Sequence, residues 1–274
     1  MENKGVNILD HYNVPTTNIV MPSGFTVEIR EQNGDDDDVL SRIQDVNDGS
    51  SVHKFIAGII MSHSLGTTKL TATDILNWKL QDKYYLLFKS RLFSLGKDIV
   101  FTHKFPDGTT IDFEEDLSIY DWDLSKPLPP EFIMEGDKKK PNPEYFKYRI
   151  TPHAGGSEPS RTLTLSSKKI VKYDYITGVG EYYLLQKNQD DVSKNDELRA
   201  RNLQMNIDGK FQTIEVFKLF NPTDMREIRE DMEKYDSLDF RVLCDVTSPK
   251  DGYTETISLI MNPSFFFPTK GTTK

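Results

Sequence analysis

The sequence offers four places where residue types and spacing could support chemistry. The first is Thr177-Gly-Val-Gly-Glu181, a glycine turn between an expected strand and an expected helix, the location at which phosphate loops form. Its helix opens on Glu181 and no lysine follows the second glycine, so the cation such a loop uses is missing. The second is Asp35 to Asp38. Calcium loops alternate their ligands and close on a distal glutamate, which this run does not do. It reads instead as an acidic helix start at the positive end of the dipole. The third is the set of scattered histidines, His11, His53, His63, His103 and His153. None stands at metal-ligand spacing from a cysteine or a second histidine. The fourth is Phe265-Phe266-Phe267-Pro268. Three consecutive aromatics cannot all face one side of a strand. These four residues are either a candidate partner interface or a final strand that seals the chain's own core.

Other routes to catalysis are less well supplied. There is no G-x-S-x-G elbow, and His153 beside Ser157 and Ser160 lies in a glycine-rich stretch that would not hold a triad in geometry. Cys244 is the single cysteine, which excludes an internal disulfide and any multi-cysteine zinc site within the chain. Among 43 acidic residues no pair stands out for acid and base work. The expectation is a protein without enzymatic activity, cofactor or metal.

The elements that must position these residues follow from periodicity. Phe25 to Arg30 alternates as a half-buried strand, Asn33-Gly34 turns, and an acid-led helix carries Val39, Leu40 and Ile43. A helix is expected over Ser51 to Ser62, then a turn capped by Thr71 or Thr73. A longer helix follows, capped by Asp82 and stopped at Gly96. Asp98 to His103 and Thr109 to Phe113 read as a hairpin around Asp107-Gly108. Residues 118–160 read as a Pro- and charge-rich linker with one short strand, Phe146 to Ile150.

Beyond it the same order returns. Ile170 to Tyr175 reads as a strand, Thr177-Gly178 as a turn, Glu181 as a helix opening and Lys194 to Met205 as a helix. Asn221-Pro-Thr-Asp224 starts a capped helix, and a hairpin closes around Asp251-Gly252. Ser23, Val27, Gly34 and Leu40 fall without a gap on Ser167, Val171, Gly178 and Leu184; Asp82 matches Asp224, and Gly108 matches Gly252. The expected fold class is α+β in two similar halves: 1–117 and 161–268, joined by the linker 118–160, with a flexible tail at 269–274. Such pairs pack as pseudo-symmetric halves that offer edges to each other or to partners.

A net charge of −9 and a pI near 5.2 disfavour nonspecific nucleic-acid binding. The longest apolar stretch, Phe55 to Met61, is too short to span a bilayer. The opening residues show no basic segment followed by an apolar run, so assembly in a cytoplasm is expected.

The residues also resemble a family: the baseplate hub and tail-assembly proteins of contractile, T-even-type bacteriophages. The resemblance rests on Met21-Pro-Ser-Gly24, Asn33-Gly34, Leu70-Thr-Ala-Thr-Asp-Ile75, Asp82-Lys-Tyr-Tyr-Leu-Leu87, Arg91 and Ser94-Leu-Gly96. In the second half it rests on Thr177-Gly178 with Glu181, Ile207-Asp-Gly209, Pro222 to Arg229 and Phe265 to Pro268. It implies a structural tail or baseplate component in the virion, with other tail proteins as partners and a possible homo-oligomer. An assembly chaperone that leaves the virion is the alternative. Some relatives carry Cys pairs at the hairpin turns; here only Cys244 is present, which removes a zinc role from the expectation.

Overall fold

Alternation of polar and apolar residues in Thr26–Arg30 buries Val27 and Ile29 on one face, and this strand organises the first sheet. The structure, a computed structural model, describes residues 14–42, 50–121, 130, 132–136, 138–142, 157–187, 193–214, 217–236, 238 and 241–260. Strand β1 (Thr16–Val20) pairs antiparallel with β2 (Thr26–Arg30), in register from Thr16 opposite Arg30 to Val20 opposite Thr26. The connecting turn is closed by the Met21 amide on the Phe25 carbonyl and the Gly24 amide on the Met21 carbonyl, both 2.8 Å. Gly24 has a φ of 88°, a region costly to residues with a Cβ.

Helix α1 (Gly34–Ser41) is capped by Asn33, whose side chain accepts from the Asp35 and Asp36 amides at 3.0 and 3.3 Å. Helix α2 (Ser50–Ile59) buries Phe55, Ile56 and Ile59. It stops short of the expected Ser62, because Ile60–His63 leaves as β3 and pairs with β2. Sheet pairing, available only in the folded chain, overrides the local helical pattern there. Helix α3 (Ala72–Leu76) carries the expected Thr71 cap. Helix α4 (Leu80–Leu95) begins earlier than expected, so Asp82 sits in its first turn rather than capping it. Strands β4 (Asp98–Lys104) and β5 (Thr110–Asp116) form the expected hairpin. A 3-10 turn, Leu117–Tyr120, buries Leu117 and Tyr120 and carries the first packed unit past the expected boundary at 117.

The expected linker contains a second departure. Its charge run is not loop but strand β7 (Lys138–Pro141), paired with β6 (Phe132–Glu135). The expected strand Phe146 to Ile150 lies outside the described residues.

In the second half β8 (Ser160–Thr164) pairs with β9 (Ile170–Asp174), from Ser160 opposite Asp174 to Thr164 opposite Ile170. The Leu165 amide donates to the Lys169 carbonyl at 2.9 Å, and the Lys168 amide to the Leu165 carbonyl at 2.8 Å. Helix α5 (Gly178–Leu185) follows, then α6 (Lys194–Ala200), shorter than the expected helix to Met205. The remainder of that stretch becomes β10 (Gln204–Ile207), which pairs with β9 and with β11 (Lys210–Thr213). Helix α7 (Pro222–Asp236) buries Ile228 and Met232, and β12 (Arg241–Thr247) with β13 (Thr254–Ile260) makes the closing hairpin.

The fold is thus α+β, with seven described α-helices and several small antiparallel sheets. Two apolar cores hold it. One gathers β2, α2 and α4, and it also takes Val242, Cys244 and Leu259 from the closing hairpin. The other gathers Val171, Tyr173, Leu198, Ile228 and Met232. The closing hairpin therefore packs with the first half, across the division read from the sequence. His103 Nε2 lies 2.6 Å from Glu255 Oε1, and the Tyr120 hydroxyl donates to Cys244 Sγ at 3.3 Å.

Candidate functional site

The Thr177-to-Glu181 turn lies against the start of α4 and forms one joint between the two halves, beside the packing of the closing hairpin. Ile176 and Thr177 run beside the chain that enters α4, with an antiparallel bridge between Lys79 and Thr177. The Leu80 amide donates to the Ile176 carbonyl at 3.0 Å, and the Gly178 amide donates to the Trp78 carbonyl at 3.3 Å. A Cβ on Gly178 would lie 2.7 Å from the Leu76 carbonyl oxygen and 3.0 Å from His53 Nε2. The glycine is required by this close approach, not by its φ.

Glu181 completes the joint. Its carboxylate pairs with the Lys83 ammonium and accepts the Tyr84 hydroxyl at 2.6 Å. Burial lowers the Lys83 pKa while Glu181 opposes that shift, and burial pushes the Tyr84 hydroxyl well above its ordinary value. A buried ammonium is held in its charged form only by such a partner. A phosphate at this turn would meet the Glu181 carboxylate, and the Gly178 amide is already in use.

The other sequence candidates are placed as follows. Asp36 binds the Arg30 guanidinium with both oxygens, at 2.6 and 2.8 Å, and accepts a hydrogen bond from the Asn33 amide. Its neighbours Asp35 and Asp37 lie in the first turn of α1, so the run is the acidic helix start that its spacing suggests. His63 Nε2 lies 2.8 Å from the Thr68 carbonyl oxygen, and His53 is buried in α2. No group of three metal-ligating side chains converges among the described residues. Phe265, Phe266, Phe267 and Pro268 lie outside the described residues, as do His11 and His153.

Cys244 is 1% exposed, and burial pushes its thiol up to about 11. Since the thiolate is the reactive form, alkylation of the native protein at neutral pH should proceed only as fast as it unfolds. Iodoacetamide labelling followed by mass spectrometry, with and without urea, checks this. Labelling as rapid in buffer as in urea would show the thiol to be open.

Sequence reasoning missed the residues that tie each sheet to its long helix. The Ser23 amide and hydroxyl both donate to Asp82, at 2.9 and 2.6 Å. Burial raises the Asp82 pKa, against those two bonds. In the second half Asp224 bonds Ser167 and pairs with Lys169 at 2.6 Å. The matched positions of Ser23 with Ser167 and Asp82 with Asp224 were the available signal. Ser23 and Asp82 also line, with Phe25, Trp78 and Lys79, a cavity of about 620 Å³. A smaller one of about 230 Å³ lies between His53, Leu76 and Tyr182, at the joint.

Two carboxylates, the half-buried Asp116 and the buried Asp196, contribute to the acid response. Lys97 and then Ser118 hold Asp116 at about 2; the Ser193 amide, its hydroxyl and Arg199 hold Asp196 at about 2. Both values are below those of the unfolded chain, about 3.9. Their stabilising contribution is therefore full above about pH 4 and is lost as pH falls through about 2. Melting temperature should drop across that window, and drop less in the Asp116→Asn, Asp196→Asn double variant. Equal slopes in the two proteins would refute the assignment.

No helix among the described residues is long and apolar enough to cross a membrane. Comparison with known proteins gives no match to a family model, to a curated protein or to a solved structure.

Proposed function

We propose that this chain is a structural component of a bacteriophage tail or baseplate, acting through protein–protein contacts and not through catalysis. The observation that carries the reading is the use made of the motifs behind the family resemblance. Met21 to Gly24 forms the turn tied to Asp82, Asn33-Gly34 caps α1, and Thr71 with Asp74 caps α3. Thr177-Gly178 and Glu181 form the joint. Residues shared with such a family are spent on scaffold, as in a part whose work is to hold surfaces in place.

We also read the halves as copies of one unit. The hairpins β1–β2 and β8–β9 share length and register. Their turns carry the same two backbone bonds, from Met21 and Gly24 and from Leu165 and Lys168. In both, the strand after the second helix pairs with the second hairpin strand, and a turn serine binds an aspartate in the long helix. The Gln32 amide donates to Ser94 Oγ at the end of α4, and the Ile176 amide donates to Asp236 at the end of α7.

The test is the fate of the chain during infection. Gradient-purified virions and tail intermediates are probed with an antibody to it. Presence in virions supports the structural reading. Presence in intermediates alone replaces it with an assembly chaperone, and absence from both overturns the tail assignment.

A further inference from the structure

The joint between the halves is one-sided, and this has a consequence for assembly. It is built from the start of α4 on the first half and the cap turn of α5 on the second. On the duplication reading above, each half owns both kinds of face. Two faces are then left over: the start of α7 and the cap turn of α1. A contact between unlike faces of like units does not close on itself, and it propagates until a ring or filament forms.

The leftover faces match the joint in part: Met225 stands where Lys83 stands, so the ammonium that pairs with Glu181 has no counterpart at its own place. Gly34 stands where Gly178 stands, and its φ lies outside the left-handed region. An added Cβ at Gly34 would meet no described residue within 4 Å, whereas at Gly178 it would strike Leu76 of the other half. No described residue of the same copy crowds Gly34; a close approach by another copy would use the glycine. Asp37 stands where Glu181 stands and is exposed. Arg226 stands where Tyr84 stands, is exposed, and pairs with Glu230 on its own helix at 3.6 Å. A carboxylate and a cation thus stand on opposite faces, the cation at the place of the Tyr84 hydroxyl and not at that of the Lys83 ammonium. Pro222 stands where Leu80 stands and has no amide, so the copied contact has one backbone bond fewer.

We propose that a second copy of this chain docks its α1 cap turn, Asn33-Gly34 with Asp37, on the start of α7 around Arg226, repeating the internal joint to give a head-to-tail homo-oligomer. Sedimentation velocity over a wide range of concentration reads it. The wild-type chain should show a mass that rises with concentration. Arg226→Glu and Asp37→Lys should each weaken association about tenfold or more, and the double variant should restore most of it, since opposed charges at a contact set both specificity and register. Gly34→Gln should abolish association with its melting temperature unchanged. A wild-type chain that stays monomeric at the highest concentration overturns the proposal. So does association that neither charge reversal alters, or two reversals that do not compensate. The tail assignment fails separately: a chain that assembles by this contact yet is absent from virions and tail intermediates would lose that assignment and keep this one.

Discussion

Arg201→Met will lower the unfolding free energy by about 3–5 kcal/mol, the cost of removing one partner from a buried ion pair. Arg201 and Asp236 are each 0% exposed. The Arg201 guanidinium pairs with the Asp236 carboxylate, donates to the Asp236 carbonyl at 2.7 Å and reaches Glu197 Oε1 at 3.0 Å. Asp236 also accepts the Ile176 amide at 2.6 Å. The cluster therefore fastens the ends of α6 and α7 to the residue that enters the joint. Methionine leaves the carboxylate buried and uncompensated, and the loss exceeds that of the packing alone. Urea unfolding measures it, with Arg226→Met as the exposed control expected within about 0.5 kcal/mol of wild type. Equal stability of the two variants would mean that the buried pair is not formed. An Arg201→Met, Asp236→Leu double variant should recover part of the loss, because no charge then remains in the apolar interior.

The second large effect is expected at Gly178. Gly178→Ala puts a methyl group 2.7 Å from the backbone oxygen of Leu76, and a backbone atom cannot step aside as a side-chain end can. The halves must separate slightly or the α3–α4 connection must shift, at about 1–3 kcal/mol. Gly34→Ala, at the matching turn with no described residue within 4 Å, should leave the melting temperature of the monomer within about one degree, or raise it through a stiffer unfolded chain. The contrast between two glycines, each the first residue of a helix, separates tertiary contact from backbone conformation. A Gly178→Ala protein as stable as Gly34→Ala would show that the joint is looser than described. Because Ile176 belongs both to the joint and to the Arg201 cluster, Gly178→Ala and Arg201→Met should combine non-additively.

Much of the fold was legible where local physics is decisive. Alternation marked β2 and β9, the caps Thr71 and Asn221-Pro222 marked α3 and α7, and the Asp-Gly pairs marked both seven-residue hairpins. Two departures share a cause. The helices expected to run to Ser62 and to Met205 both stop early, because Ile60–His63 and Gln204–Ile207 are strands made by pairing with a distant partner. Helical periodicity over a few residues cannot reveal such a partner. Lys138 to Lys140 falls in the expected linker, and it is a strand paired with β6. The closing hairpin was assigned to the second half by chain order, and it packs with the first because Cys244 and Val242 face Tyr120 and its neighbours.

The candidate sites divide along the same line. The sequence by itself determined that one cysteine forms no internal disulfide, and it set two expectations: that the scattered histidines share no metal and that the glycine turn opening on Glu181 holds no phosphate. It also paired Ser23 with Ser167 and Asp82 with Asp224. Only the tertiary structure decided that those pairs are ties between turn and helix, and that Glu181 meets a buried lysine from the other half. The reason is distance along the chain. Caps and turns are settled by neighbours a few residues apart. Lys83 and Glu181 are brought together only when two packed units dock, and burial then gives their charges an energetic weight that the sequence alone does not display.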